Sequence, residues 1–196
     1  MTTLVVLPVK AFDRGKARLS AVLDDAARSG LARSLAEGVL RSVLDVVPAT
    51  QVLVVGDDES VTAWARELGV PAVVAPGGLD GAARTGQQRA AEAGHERVLI
   101  AHADLLHPES LGVLIGRSDA LIVPDRHRRG TNVLTVPADL PFPFAYGLDS
   151  FERHRRAATD LGIELTVVED AALGMDVDTP DDLADPAATL RAGEQR

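Results

Sequence analysis

The sequence predicts an α/β domain in which helices cover both sides of a mostly parallel central sheet, a three-layer, Rossmann-like arrangement. Short apolar runs rich in β-branched residues alternate with longer segments of helical pattern, the order typical of such folds. The first run, residues 3–9, is apolar almost throughout and too short for a typical helix, as expected of a strand buried on both faces. With 196 residues the chain suits one core, and we predict a single domain over residues 1–196.

The first half of the chain continues with two helix–strand units. Residues 25–47 place apolar side chains at intervals of three and four, which predicts an amphipathic helix that ends before a proline. Residues 51–55 form the next short strand. Residues 59–68 are helical in pattern, and Gly69 stands where a C-terminal cap is expected. The β-rich run at 71–75 completes the second unit.

Turn signals and short apolar runs divide the second half in the same way. Asp80 is expected to cap a helix that reaches about residue 93. The elements predicted after it are a strand at 97–101, a helix at 108–115 with Pro108 in its first turn, strands at 120–123 and 132–136, a helix at 150–161, a strand at 164–168 and a short helix from Pro180. The tail after about residue 186 is expected to be frayed.

Composition excludes several classes of protein. Cysteine is absent, which removes disulfides, thiolate nucleophiles and cysteine-bound metals. The formal net charge of −9 disfavours nucleic-acid or membrane-surface binding, because no basic surplus is available to neutralise phosphates. No apolar run approaches the roughly 20 residues that span a bilayer, and the first ten residues lack the pattern of a secretory signal. We therefore expect a cytoplasmic protein that binds neither nucleic acid nor membrane.

A basic segment follows the first strand in this otherwise acidic chain. Four cations fall within nine residues, at Lys10, Arg14, Lys16 and Arg18. Because ligands of α/β sheets bind beyond the carboxyl ends of the strands, this segment favours a polyphosphate site. A solvated basic loop is an equal alternative from charge alone. Neither the glycine pattern of a P-loop nor that of a dinucleotide-binding turn follows the strand.

Two acidic motifs supply candidate metal ligands. Asp104 follows the strand at 97–101, where a carboxylate can hold a hard cation such as Mg²⁺, although it could equally cap a turn. Asp176 and Asp178 are two residues apart, so in an extended segment they point to the same side. Capping of the helix at Pro180 explains the acids that follow it but not this pair, which favours a metal role. The histidines near Asp104 are interpreted as structural.

Two further segments could bind an anion. Residues 124–132 combine three arginines with a glycine, a hydroxyl and an amide, which suits a phosphorylated acid, although a plain surface hairpin is the alternative. Gly147 and Ser150 lie at the predicted start of a helix, where backbone N–H groups favour an anion. Ser150 could instead be only the N-terminal cap of that helix.

The order of these segments resembles the guanylyltransferase family that makes the phosphodiester precursor of the deazaflavin coenzyme F-420, the 2-phospho-L-lactate guanylyltransferases. The resemblance covers about residues 4–183. Its motifs are Pro8-Val9-Lys10 with Lys16, Arg18, Leu19 and Ser20; Ala103-Asp104-Leu105; Pro124-Asp125-Arg126 with Gly130-Thr131-Asn132; Gly147 with Ser150-Phe151 and His154; and Asp176-Val177-Asp178-Thr179-Pro180.

The resemblance implies a nucleotidyltransferase fold, Mg²⁺ as cofactor, GTP as donor and phosphoenolpyruvate or 2-phospho-L-lactate as acceptor, with a possible homodimer. Catalytic roles fall on Lys10, Lys16, Arg18 and Asp104. The metal carboxylates correspond to Asp104, Asp176 and Asp178. The acceptor residues correspond to Thr131, Gly147 and Ser150. The nucleotide is expected at Leu7, Pro8, Val9, Lys10, Gly78, Asp80 and Gly81.

Three departures from the family pattern bear on the substrate. Leu106 stands where the family usually has proline, Asp80 where it usually has asparagine, and Asp149 where it commonly has glycine. Asp80 bears on guanine selectivity, and Asp149 adds a negative charge beside a negatively charged acceptor. A nucleotidyltransferase with another acceptor, such as 3-phosphoglycerate, a sugar phosphate or molybdopterin, and a noncatalytic nucleotide-binding module are the alternatives.

Overall fold

The computed structural model describes residues 2–184, which fold around one central sheet. In this part of the chain the sheet has seven strands in the order β3-β2-β1-β4-β6-β5-β7. Strand β6 is antiparallel to both its neighbours, and the other neighbouring pairs are parallel. The strands are β1 (Thr3–Val9), β2 (Val52–Gly56), β3 (Ala72–Val74), β4 (Arg97–Ala101), β5 (Ala120–Pro124), β6 (Thr131–Pro137) and β7 (Leu165–Val167).

Helices cover both faces of the sheet. They are α1 (Asp25–Leu44), α2 (Glu59–Glu67), α3 (Gly78–Glu92), α4 (Leu111–Ile115), α5 (Ser150–Asp160) and α6 (Pro180–Ala184). Helices α1, α2 and α4 contribute to the core on one face, and α3 and α5 contribute to the core on the other. The prediction of a three-layer α/β fold with a mostly parallel sheet is confirmed. None of the helices in the described residues combines the length and hydropathy that a membrane-spanning helix needs.

Strand β1 is buried on both faces, as its apolar sequence predicts. Val5 and Leu7 pack with α1 and α2, whereas Leu4 and Val6 pack with α3. Helix α3 comes so close that a Cβ added to Gly86 would lie 2.6 Å from a methyl group of Val6. This close packing fixes the first turn of α3 beside the end of β1.

The topology brings the candidate segments to one edge of the sheet. The parallel strands β1, β2, β4 and β5 all end at this edge, and the antiparallel β6 begins there. Thr131, the first residue of β6, therefore lies at the same edge as the segments that follow β1 and β4. A separate apolar cluster, built on Leu19, Leu106 and Val177, packs the basic segment against the two acidic motifs.

Several predicted boundaries and caps are wrong. The first helix ends at Leu44, and residues 108–115 begin with a 3-10 turn before α4. The cap of α3 is Gly77 in the left-handed region, so Asp80 lies in the first turn instead of capping the helix. The cap of α5 is Asp149, also left-handed (φ +57°), so Ser150 is not an N-terminal cap. The prediction for the tail after residue 186 falls outside the described residues.

Candidate active site

Lys16 joins the basic segment to both acidic motifs. Its Nζ lies 2.6 Å from Asp104 Oδ2 and 3.1 Å from Asp178 Oδ1, and only 6% of its side chain is exposed. The Lys16 backbone adopts the left-handed region (φ +54°), which costs a non-glycine residue about 1 kcal/mol. Strain of this kind persists where the surrounding structure demands it, often at functional sites. Residues that are 88 and 162 positions apart in sequence therefore meet at one ammonium group.

The charges in this cluster depend on one another. Burial alone would lower the pKa of Lys16, but the carboxylates of Asp104 and Asp178 outweigh it and raise that pKa above its ordinary value. Burial acts to raise the pKa of Asp104, but the charges of Lys16 and His102 and the hydrogen bond from Lys16 together hold that pKa below its usual range. Both partners are therefore charged at neutral pH.

Asp176 lies beside the same pair. Its backbone forms an isolated antiparallel bridge with Leu105, the neighbour of Asp104. Burial, and then the negative charges of Asp104 and Asp178, raise the pKa of Asp176 to about 6. Val177, between the two acids, is 1% exposed and packs into the apolar cluster. The structure therefore gathers all three predicted metal carboxylates into one neighbourhood.

Asp182 holds the second acidic motif in place, a role that capping of α6 alone does not describe. Its Oδ2 accepts hydrogen bonds from the backbone N–H groups of Asp178 (2.8 Å) and Thr179 (2.6 Å). The other carboxylate oxygen forms an ion pair with Arg126. Burial acts to raise the pKa of Asp182, but these hydrogen bonds lower it overall. The sequence signal was present, because Thr179-Pro180-Asp181-Asp182 has the spacing of a capping box.

A cavity of about 440 Å³ opens beside Lys16. Its volume lies in the range of small-molecule sites. Of the predicted site residues, those that line it are Pro8, Val9, Lys10, Lys16, Gly78, Asp104 and Asp178. Apolar and small side chains form much of the remaining wall, including Phe12, Ala32, Ala36 and Ala82. The edge of the sheet therefore offers an apolar recess with cations and carboxylates at one side.

Other predicted residues lie outside the cavity lining. Leu7 is a core side chain, 1% exposed. Gly81 is needed for packing, since an added Cβ would lie 1.8 Å from the Pro76 carbonyl oxygen. Arg18 is largely exposed, and its Nη1 lies 3.8 Å from Asp178 Oδ2. Asp80 directs its carboxylate to the backbone N–H of Tyr146 at 2.7 Å. Of the residues predicted to contact the nucleotide, Pro8, Val9, Lys10 and Gly78 line the cavity, whereas Leu7, Asp80 and Gly81 do not.

Asp57, which was not predicted as a site residue, stabilises the start of the basic segment. Its Oδ1 accepts a hydrogen bond from the Ala11 N–H at 2.7 Å and lies 3.3 Å from Arg14 Nη2. Asp57 follows β2 directly and also lines the cavity. Arg14 is therefore a second cation of the basic segment, besides Lys16, that is paired within the protein. An acid immediately after a neighbouring parallel strand is the signal that would have indicated it.

The predicted acceptor residues come together in a buried cluster. Ser150 Oγ lies 3.4 Å from Thr131 Oγ1, and the Ser150 N–H donates to the Gly147 carbonyl at 3.0 Å. The Thr131 and Ser150 side chains are each 1% exposed and lie outside the lining of the large cavity. His154, completely buried, joins the cluster through Nδ1, 3.0 Å from Thr131 Oγ1.

Hydrogen bonding fixes the tautomer of His154. The Ala145 N–H donates to His154 Nε2 at 3.0 Å, so Nε2 is unprotonated and Nδ1 carries the proton that is donated to Thr131. Burial, and then the charges of Arg153 and His102, lower the pKa of His154 to about 4. The imidazole is therefore neutral at pH 7. Thr131 Oγ1 accepts from His154 and from the weaker Ser150 contact, which leaves its own proton available for an acceptor oxygen.

The arginines of residues 124–132 do not form the expected pocket for a phosphorylated acid. Arg126 is paired with Asp182, Arg128 with Glu169 and Arg129 with Asp149, so their charges are largely neutralised within the protein. The amide of Asn132 donates to the Leu173 carbonyl at 2.9 Å and is a structural contact. Thr131 of this segment belongs to the predicted acceptor cluster through its contacts with His154 and Ser150.

No group of three or more His, Asp or Glu side chains stands ready to hold a metal ion in residues 2–184. The ammonium group of Lys16 contacts an oxygen of Asp104 and an oxygen of Asp178. These oxygens are nevertheless close enough for one cation to contact both, as Lys16 does. The three carboxylates provide the hard oxygen donors that Mg²⁺ prefers.

Comparison with solved structures identifies the fold. The chain matches a nucleotidyl transferase from Methanothermobacter thermautotroptrophicus with a TM-score of 0.64 at 16% identity, covering 98% of this chain and 99% of that one. A protein from Desulfovibrio desulfuricans G20 matches with a TM-score of 0.69 at 18% identity, covering 100% and 89% of the two chains. The fold is that of the nucleotidyltransferases.

Sequence comparison gives the family. Residues 3–187 match the family described as "Guanylyl transferase CofC like". The phosphoenolpyruvate guanylyltransferase of Conexibacter woesei is 36% identical over 93% of this chain and 86% of its own length. That of Rubrobacter xylanophilus is 36% identical over 94% and 93%. The 3-phospho-D-glycerate guanylyltransferase of Phenylobacterium zucineum is 30% identical over 93% and 88%. The chain belongs to this family of guanylyl transferases, which confirms the resemblance of its motifs.

Proposed function

We propose that this enzyme transfers GMP from GTP to the phosphate of a small phosphorylated carboxylic acid, phosphoenolpyruvate or 2-phospho-L-lactate, and releases pyrophosphate in the cytoplasm as a step of coenzyme F-420 biosynthesis. The observation that carries the proposal is Lys16, which is held between Asp104 and Asp178 at the wall of a cavity lined by Pro8 and Val9. The names of the phosphoenolpyruvate guanylyltransferase relatives support phosphoenolpyruvate as acceptor.

The donor set fits Mg²⁺. Asp104, Asp176 and Asp178 are hard oxygen ligands in one neighbourhood, and Mg²⁺ is commonly bound by one or two carboxylates together with substrate phosphates. We propose that these residues hold the ion once the phosphates of GTP are present to complete its coordination. A bound Mg²⁺ supplies positive charge against the α-phosphate and the leaving pyrophosphate.

The protein residues position the reactants and neutralise charge. An oxygen of the acceptor phosphate attacks the α-phosphorus of GTP, a new O–P bond forms, and the bond to the β-phosphate oxygen breaks. The attacking oxygen is already anionic at neutral pH, so no general base is required. Lys10 and Lys16, both in the cavity wall, balance the charge of the triphosphate and of the departing pyrophosphate, and Arg18 assists from the exposed side.

The acceptor is proposed to bind at Thr131, Gly147 and Ser150. His154 Nδ1–H donates a hydrogen bond to the Thr131 hydroxyl oxygen, so the hydroxyl proton of Thr131 remains available for the phosphate or carboxylate of the acceptor. Ser150 is the first residue of α5, and its position favours an anion at the helix start. Phosphoenolpyruvate and 2-phospho-L-lactate carry the same phosphate and carboxylate and differ only in the bond between C2 and C3, which is double in the first and single in the second.

A second candidate acceptor is 3-phosphoglycerate, which is favoured by the relative from Phenylobacterium zucineum. It also is a phosphorylated carboxylic acid, so the same reaction applies to it. A noncatalytic nucleotide-binding module is disfavoured by the strained Lys16 backbone and by three clustered carboxylates, which the fold alone does not require.

The deciding experiment measures pyrophosphate release from GTP with phosphoenolpyruvate, 2-phospho-L-lactate or 3-phosphoglycerate, with and without Mg²⁺. ATP and CTP replace GTP as matched controls, and mass spectrometry identifies the guanylylated product. We expect turnover with GTP, Mg²⁺ and one of the first two acceptors. Turnover with 3-phosphoglycerate alone would change the acceptor, and GTP binding without turnover on any of the three would contradict the proposed activity.

A further inference from the structure

Asp80 directs its carboxylate to a different part of the protein from the one that the family resemblance implies. Asp80 lies in the first turn of α3, where its neighbours Gly78 and Leu79 line the nucleotide cavity. Its Oδ1 instead accepts a hydrogen bond from the backbone N–H of Tyr146 at 2.7 Å. The two residues are 66 positions apart. This contact joins the nucleotide side of the site to residues 145–149, the loop that precedes Ser150.

The Tyr146 side chain lies between the two halves of the site. Its ring is 5.6 Å from that of His102, which lines the nucleotide cavity, and 4.7 Å from that of His154, which bonds to Thr131. The Tyr146 hydroxyl is buried, and no hydrogen-bond partner for it is found in the described residues. Packing and backbone contacts, and not the phenol group, therefore hold Tyr146 in position.

Helix α5 supplies further hydrogen bonds to loop 145–149, in addition to that from Arg129 to Asp149. Arg153 Nη2 donates to the carbonyls of Tyr146 (2.9 Å) and Leu148 (2.7 Å), and His154 accepts from the Ala145 N–H. Both of these residues belong to α5. The loop also contains two left-handed residues, at Gly147 (φ +97°) and Asp149 (φ +57°). A loop with this backbone depends on its hydrogen bonds to keep one conformation, and Asp80 ties it to α3.

We propose that Asp80 is a positioning residue for the acceptor. By accepting a hydrogen bond from the Tyr146 N–H, Asp80 fixes the position of loop 145–149, and therefore of Gly147 and Ser150, relative to the nucleotide. This inference rests on the function proposed above. In-line transfer requires the acceptor phosphate to stand at a defined distance from the α-phosphorus, and small displacements lower the rate strongly. A hydrogen bond between the two binding regions meets that requirement.

The competing role for Asp80 is recognition of guanine, which the family resemblance implies. The two roles predict different kinetic effects. Loss of a base contact raises the KM for GTP and weakens discrimination against ATP. Loss of the hydrogen bond to Tyr146 raises the KM for the acceptor and lowers kcat, and it leaves the KM for GTP and the discrimination against ATP unchanged. A general structural role predicts a lower melting temperature with no preference for either substrate.

The experiment compares Asp80→Ala with Asp80→Asn, using GTP and phosphoenolpyruvate. The asparagine keeps an Oδ1 acceptor for the Tyr146 N–H, whereas alanine removes it. Asp45→Ala is the matched control, because Asp45 is an exposed carboxylate that follows α1 at the opposite end of the layer from the site. Each variant is measured for kcat, both KM values, the GTP to ATP preference and the melting temperature.

We expect Asp80→Ala to raise the KM for phosphoenolpyruvate at least about tenfold, as for a lost hydrogen bond to a charged group, with the KM for GTP changed less than about twofold. Asp80→Asn should stay within about threefold of the wild type. An unchanged acceptor KM in Asp80→Ala, a higher KM for GTP, or a uniform loss with a lower melting temperature would each overturn the proposal.

Two further measurements keep the test decisive. If Asp80→Ala does not fold, Asp80→Ser replaces it, because serine is favoured at helix starts but is too short to reach the Tyr146 N–H. The wild-type assay separates this inference from the proposed function. Absence of guanylyl transfer in the wild type removes the function, whereas an active wild type with an unaltered acceptor KM in the variant removes only the role of Asp80.

Discussion

Replacing Lys16 with methionine tests the central electrostatic cluster. The substitution keeps a long side chain but leaves Asp104 and Asp178 without their shared cation. Removing one partner of a buried ion pair costs about 3–5 kcal/mol, and that range applies to pairs fully shielded from water. The side chains of Asp104 and Asp178 are 28% and 44% exposed, so solvent screening reduces the expected loss to about 2–3 kcal/mol. For a chain of this size the melting temperature should fall by about 5–10 °C.

Urea unfolding followed by tryptophan fluorescence is the assay. Trp64 is the single tryptophan, is 3% exposed and packs edge-on against Phe12 in the basic segment at 5.2 Å. Its emission therefore reports on the region that contains Lys16. Lys10→Met is the matched control, because Lys10 is an exposed cation of the same segment. This substitution should change the unfolding free energy of the protein by less than about 0.5 kcal/mol.

A double-mutant cycle with Asp104→Asn isolates the ion pair. Once Asp104 is neutral, removal of Lys16 should cost less, with a coupling energy of about 1.5 kcal/mol between the two positions. A coupling energy below about 0.5 kcal/mol would refute the reasoning, because it would mean that the 2.6 Å contact contributes nothing beyond the two separate substitutions.

Three other predictions concern activity, pH and packing. Asp104→Ala and Asp178→Ala should each lower kcat at least about 100-fold, about 3 kcal/mol of transition-state stabilisation, and near wild-type turnover in both would remove the metal assignment. The pKa of His154 is lowered from 6.5 to about 4, so between these pH values the unfolded chain binds more protons than the folded one. The free energy of unfolding should therefore fall by about 3 kcal/mol as the pH drops from 6.5 to 4. His154→Gln should flatten this part of the plot of unfolding free energy against pH, and an unchanged plot in the variant would contradict the assignment. Gly30 of α1 has open space around it, so Gly30→Ala should stabilise the protein by about 0.5–1 kcal/mol. An alanine Cβ at Gly86 would collide with Val6 of β1, so Gly86→Ala should destabilise the protein by about 1–3 kcal/mol. Urea titrations in which both substitutions change the unfolding free energy in the same direction would refute the packing argument.

The strands could be predicted because their signal is local. Residues 3–9 are apolar on both faces, and the structure buries every one of them in β1. Helix α2 begins and ends within one residue of its predicted bounds, because its apolar spacing and the glycine that follows are both local features. Parallel order follows from the alternation of strands and helices. From there, the convergence of Lys16, Asp104 and Asp178 at one edge follows from topology.

The N-terminal caps of α3 and α5 could not be predicted in this way. Gly77 and Asp149 cap α3 and α5 in left-handed conformations, and the favoured capping residues in the sequence, Asp80 and Ser150, lie one or more positions further on. For Asp149 the conformation is accompanied by an ion pair with Arg129, at 3.1 Å and 20 positions away. A cap held by tertiary contacts leaves no local pattern. The side chains of Asp80 and Ser150 were thereby freed to bond across the site.

Charge clusters in sequence do not reveal where their partners lie. The arginines of residues 124–132 have the composition of an anion site, but Arg126 meets Asp182 from 56 positions away and Arg128 meets Glu169 from 41. Each pair satisfies a charge that composition alone would leave free for a substrate. By contrast, Lys10 in the cavity wall has no acidic partner among the described residues. The number of cations in a segment therefore indicates less about phosphate binding than the number left uncompensated by the fold.

The same reasoning explains why Lys16 is paired with two carboxylates. The packing of Val177 and its apolar neighbours brings together the carboxylates of Asp104, Asp176 and Asp178. Burial, and then the negative charges of the other two acids, raise the pKa of Asp176. Without a cation between them, two would have to take up protons or move apart. The Lys16 ammonium, held by a strained backbone, supplies that cation. It therefore holds an oxygen of Asp104 and an oxygen of Asp178 around one positive charge.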